Sequence, residues 1–170
     1  MHRALAFLLR PPPSEASPSI VAVRAATGLV FVVSGAIKFV FENQGELRFA
    51  KIGLSPALAY PVGAVEIVAG LCLLCGFLTR LAALPLMIDM IVALVTTKLP
   101  LLVGPGPEPL GAPPKMGMWA FAYQARLDLT MLLSCGYLLA VGAGVWSLDA
   151  WLSQKRSEQK LLGRVRSAEA

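Results

Sequence analysis

Apolar residues in this chain run in unbroken stretches instead of alternating with polar ones. Four stretches, 20–41, 57–78, 81–102 and 125–148, are each about 20 residues long, the length a helix needs to cross some 30 Å of hydrocarbon. Membrane barrel strands would instead alternate with a period of two over roughly ten residues. The pattern therefore predicts an all-α protein, a bundle of four transmembrane helices. Between the first two runs, the segment 47–52 predicts a short interfacial helix in the first outer loop, stopped by Gly53 and Pro56. Little more than Thr79 and Arg80 separates the second and third runs, so these helices are antiparallel neighbours. The link from 103 to 124 carries Gly104, Pro105, Gly106, Pro107, Pro109, Gly111, Pro113 and Pro114, which excludes regular structure from its first half. Trp119, Phe121 and Tyr123 are expected at the interface where the fourth helix enters.

Charge sets the orientation. Arg3, Arg10, Arg24, Arg80, Lys155, Arg156, Lys160, Arg164 and Arg166 fall on one side, against Lys38, Arg48, Lys51, Lys98, Lys115 and Arg126 on the other. The positive-inside rule puts the first set, and both termini, in the cytoplasm. The chain divides into a cytoplasmic Pro-rich tail (1–19), a four-helix membrane domain (20–150) and a basic cytoplasmic tail (151–170). No cleaved signal peptide is read at the start, because the apolar segment 4–9 is short and runs into Pro11, Pro12 and Pro13. With 56% hydrophobic and 15% charged residues the composition is that of a membrane protein. The net charge of +5 reads as topology plus a basic tail beside anionic lipid, and calls for no nucleic-acid partner.

Ionisable groups inside the spans carry the candidate chemistry, since a bilayer makes them costly. At about 100° per residue, one face of each helix collects small and polar residues. These are Arg24, Gly28, Phe31, Gly35 and Lys38; then Ala59, Gly63, Glu66 and Gly70; then Ala82, Pro85, Asp89, Ala93, Thr96 and Pro100; then Gln124, Asp128, Cys135 and Gly142. Small residues let membrane helices approach closely, so the four stripes are expected to face one another and enclose the charges. Depth along the helices suggests an outer cluster of Lys38, Glu66 and Asp128 and an inner pair of Arg24 with Asp89. Such charges either bind a ligand or move a proton, or they are ion pairs that fix helix register. Cys72 and Cys75 have the spacing of a redox dithiol, but they point away from the Glu66 stripe and nothing nearby would activate a thiol, so inert cysteine is the expectation. His2 is the lone histidine and the three cysteines are scattered, so no metal site is expected.

These residues resemble a known pattern. Arg24-x-x-x-Gly28-Leu29-x-Phe31-x-x-Ser34-Gly35-x-x-Lys38-Phe39, Gly53-Leu54-Ser55-Pro56, Glu66-x-x-x-Gly70-Leu71-x-Leu73-Leu74-x-Gly76-x-x-Thr79-Arg80-x-Ala82-Ala83 and Gly142-x-Gly144-x-Trp146-Ser147-Leu148-Asp149 are similar, in this order, to the DoxX family of small four-helix bacterial membrane proteins. The family is similar to the small membrane subunit of thiosulfate:quinone oxidoreductase. The resemblance implies a multi-pass protein of the bacterial cytoplasmic membrane that serves as subunit or partner of an oxidoreductase, with no established catalytic residue to carry over. The expected function is a membrane subunit offering a quinone-sized site. In it Lys38 hydrogen-bonds a carbonyl oxygen, Glu66 and Asp128 exchange protons, and Trp119 or Tyr123 borders the entrance. A structural assembly subunit and a proton-coupled carrier relaying through Asp128, Glu66, Asp89 and Arg24 are the alternatives. No cofactor is expected in the chain itself beyond a possible quinone.

Overall fold

A computed structural model describes residues 18–104 and 116–168; the Pro-rich tail and most of the Pro/Gly-rich loop lie outside the described residues. The chain forms helix α1 (Pro18–Val40), the short α2 (Glu46–Lys51), a 3₁₀ turn (Pro56–Leu58), α3 (Ala59–Cys75) and α4 (Thr79–Ala93). α4 runs on through a π-helical turn (Leu94–Lys98) and a 3₁₀ turn (Leu99–Leu102), and α5 (Met118–Val141) and α6 (Leu148–Ala168) follow. There is no strand among the described residues, in line with the all-α expectation.

Three helical segments, Pro18–Val40, Pro56–Cys75 and Thr79–Leu102, are long and apolar enough to cross a membrane. The fourth apolar run is displaced from the expected position. Its helix begins at Met118 and ends at Val141, because Gly142 and Gly144 take positive φ angles of 91° and 71° and the chain leaves helical geometry there. Gln124, Arg126 and Asp128 occupy the first half of α5, so its continuous apolar stretch is confined to the second half. The short helix expected at 47–52 is present as α2. It ends as expected at Gly53, whose φ of +78° lets Leu54 N–H reach Phe49 O at 2.9 Å.

α1 packs most extensively on α3, and α4 on α5. The α1–α3 contact is a consequence of glycine at seven-residue spacing: Gly28 and Gly35 on one helix meet Gly70 and Gly63 on the other. A Cβ added at Gly28 would stand 2.7 Å from Gly70 O, and one at Gly35 would stand 2.6 Å from Gly63 O, so only glycine permits this approach. The buried apolar core, including Ile20, Leu73, Ala83, Leu86, Cys135 and Leu138, gathers where α1 begins, α3 ends, α4 begins and α5 ends. This is the closed end of the bundle. The opposite, open end is where α1 finishes at Val40 and α3 starts at Ala59.

The closed end is tied by backbone as much as by side chains. Gly76, at φ +65°, ends α3 in a left-handed cap in which Phe77 N–H bonds Cys72 O and Gly76 N–H bonds Leu73 O. Asp149, from the start of α6, accepts Leu78 N–H at 2.9 Å and Thr79 N–H at 3.2 Å, capping α4 from 71 and 70 positions away in sequence. Leu78 and Trp146 both hold positive φ angles without being glycine; Asp149 holds Leu78 in this conformation through its N–H, and Trp146 O accepts a bond from Arg24.

Candidate functional site

The open halves of α1, α3, α4 and α5, together with α2 and the loop after it, surround a cavity of about 1140 Å³. Ionisable groups from every one of these helices line it: Lys38 from α1, Arg48 from α2, Glu66 from α3, Asp89 from α4, Lys98 from the π turn, and Tyr123, Arg126 and Asp128 from α5. Lys38 Nζ donates to Glu66 Oε2, and Glu66 is 1% exposed. The Asp89 carboxyl lines the same wall and interacts electrostatically with both Glu66 and Asp128. Lys98 Nζ lies 3.8 Å from Asp128 Oδ2, which is buried and accepts no hydrogen bond. Arg48 of α2, held by Gln44 Oε1 at 3.0 Å, adds positive charge that also acts on Asp128.

The expected outer cluster is thus present at one cavity but divided into two ion pairs. Lys38 pairs with Glu66, Lys98 pairs with Asp128, and Asp89 sits between them. The expected pair of Arg24 with Asp89 does not form. Arg24, 3% exposed, donates to Ala143 O at 2.6 Å and Trp146 O at 2.9 Å at the closed end. The physical reason lies along the axis: Arg24 and Lys38 are separated on α1 by 14 positions, about 21 Å of helix. Asp89 belongs with Lys38, and the carbonyls freed by the end of α5 at Val141 claim the guanidinium.

Tyr123 borders the cavity, with the Arg126 guanidinium 3.8 Å from its ring centroid. Trp119 does not line the cavity and lies exposed on the bundle surface, which corrects its expected place at the entrance. Cys72 is half-buried against the core and Cys75 is exposed at the closed end, so the two thiols are remote from the cavity. No cluster of residues able to hold a metal ion occurs among the described residues.

Lys98 escaped the sequence reading. The wheel at 100° per residue places Thr96 inward, where it does line the cavity, and the π turn at Leu94–Lys98 adds a residue to the helix that brings Thr97 and Lys98 inward beside it. A polar Thr96-Thr97-Lys98 run followed by Pro100 at the end of an apolar span was the available signal. On α4 the core face is Ala83, Leu86 and Met90, whereas Pro85, Asp89 and Ala93 of the expected stripe form cavity wall.

Chemically, two ammonium and two guanidinium groups, of Lys38, Lys98, Arg48 and Arg126, share the cavity with three carboxyl groups, of Glu66, Asp89 and Asp128. The cavity offers hydrogen-bond donors to a carbonyl oxygen beside carboxyls that give or take a proton, within walls that are mostly apolar.

Fold and cavity together define a multi-pass helical membrane protein, embedded in lipid, with ionisable groups inside its bundle. The family model described as DoxX matches residues 19–99. The "Uncharacterized membrane protein Rv3486" of Mycobacterium tuberculosis is 44% identical over 145 residues, covering 84% of this chain and 86% of that protein. The "Putative oxidoreductase CatD" of Bacillus subtilis is 28% identical over 130 residues, covering 76% of this chain and 84% of that protein. No solved structure matches the chain. The chain belongs to the DoxX family, as its motifs led us to expect.

Proposed function

We propose that the protein is a membrane subunit or partner of an oxidoreductase and that the cavity binds a quinone-type ring. Lys38, bonded to Glu66, is the donor to a carbonyl oxygen, and Glu66, Asp89 and Asp128 handle the accompanying proton. The observation that carries this reading is the Lys38–Glu66 pair with Asp89, contributed by three helices and set in the wall of a cavity of about 1140 Å³. A register-fixing pair has no need of an adjoining cavity, and small-molecule sites characteristically combine apolar walls with a few convergent polar groups. The Bacillus subtilis relative, whose name reads "Putative oxidoreductase CatD", supports the class of partner.

In this reading α5 is the fourth span, both termini are cytoplasmic and the open end faces away from the cytoplasm of a bacterial inner membrane. Thr79, Arg80 and the basic residues of α6 then share the cytoplasmic side. The test is purification at native expression level in mild detergent, with identification of co-purifying proteins and extraction of bound quinone. Bound quinone together with an oxidoreductase supports the proposal. A stoichiometric complex without quinone and without redox change contradicts it and leaves an assembly role.

A further inference from the structure

Between α3 and α4, Val65, Ile88 and Val92 of the cavity wall also belong to the outer surface of the bundle. On α3, Val65 is 44% exposed and continues along the helix into Val68 and Leu71, the stripe turned away from the core. On α4, Ile88 (61% exposed) and Val92 (42%) belong with Leu81, Val95 and Leu99 to the corresponding outward stripe. Their neighbours Glu66 and Asp89 carry the charges. The seam between the open halves of α3 and α4 is therefore apolar on its lipid face and leads directly to ionisable groups behind it.

Resting on the quinone reading above, we propose that this seam is a lateral portal. The ligand arrives from the bilayer, seats its polar ring at Lys38, Glu66 and Asp89, and leaves an isoprenoid or alkyl tail lying between Val65 and Ile88. Two observations select that occupant. The cavity exceeds the usual range of about 300–1,000 Å³ for small-molecule pockets, more than a ring alone fills. Its apolar wall is continuous with the surface that lipid covers, where a tail costs nothing to leave partly outside.

The portal is tested with two probes, menadione, which has no tail, and its geranylgeranyl derivative. Binding is measured by thermophoresis of the protein in nanodiscs. Val65→Trp and Ile88→Trp fill the seam from either side at positions open to lipid, and Val68→Trp, on the same α3 stripe but outside the cavity wall, is the control. The portal predicts that Val65→Trp and Ile88→Trp weaken the tailed probe at least about tenfold while menadione changes less than about twofold, and that Val68→Trp changes neither. Equal weakening of both probes, or no difference from Val68→Trp, overturns the portal and leaves the quinone site intact. Failure of both probes to bind the unsubstituted protein overturns the quinone reading and the portal with it.

Discussion

The closed and open ends of this bundle both bury charge, but they satisfy it by different means. At the closed end Arg24 is bonded to the carbonyls of Ala143 and Trp146, Arg80 Nη2 to Ala140 O at 2.8 Å, and Asp149 to the N–H groups that begin α4. Every one of these partners is backbone, fixed by the fold, and the surrounding core is packed. At the open end Lys38, Glu66, Asp89, Lys98 and Asp128 answer one another across helices, and a cavity lies among them. Side chains that satisfy only side chains can exchange partners when a ligand enters, whereas charges that hold chain ends cannot. The comparison assigns architecture to one end and chemistry to the other.

Substitutions should separate the two. Arg24→Met strips the Ala143 and Trp146 carbonyls of their buried donors, and a charged hydrogen bond contributes about 1.5–3 kcal/mol. We expect a loss of about 3–5 kcal/mol, read as a large drop in unfolding temperature in detergent, with no specific effect on ligand affinity beyond the unfolded fraction. A stable Arg24→Met protein would break the assignment of that end to architecture. Lys38→Met leaves Glu66 buried without its cation and should cost about 3 kcal/mol. Glu66→Gln should cost less, because Lys38 is the more exposed partner of the pair and keeps access to solvent when its carboxylate is removed; the reverse order in a thermal-melt comparison would show that the buried Glu66 charge is not what makes the broken pair costly. Asp149→Ala removes a helix cap and should cost about 1–2 kcal/mol, with ligand affinity unchanged in the folded fraction. The smallest effect is expected from replacing Cys72 and Cys75 together with Ala. That change should alter stability by less than about 1 kcal/mol and leave any activity nearly intact. Loss of activity in that variant would bring a dithiol into the mechanism.

The sequence exposed azimuth better than it exposed partners. The stripe of Arg24, Gly28, Phe31 and Gly35 is buried as the helical period requires, and so is Ala59, Gly63, Glu66 and Gly70 on α3. The glycine spacing that draws these two helices together, and with it the Lys38–Glu66 pair, was legible for the same reason. What remained hidden depended on departures from the α-period or on chain ends. The π turn that brings in Lys98 shifts the wheel by a residue. The break at Gly142 created acceptors for Arg24 that a continuous helix would have kept for itself. The bond from Asp149 to the start of α4 spans some 70 positions and leaves no periodic trace.

The central claim is that the open-end pair acts on a ligand and does not merely set helix register. Its most direct measurement is the double variant Lys38→Met with Glu66→Gln, in which neither partner is left buried as a lone charge. The account predicts that this protein folds with a melting temperature close to that of the unsubstituted chain, keeps its partners, and loses menadione binding in nanodiscs. A double variant that folds and binds menadione with unchanged affinity would show the pair to be structural and would contradict the account.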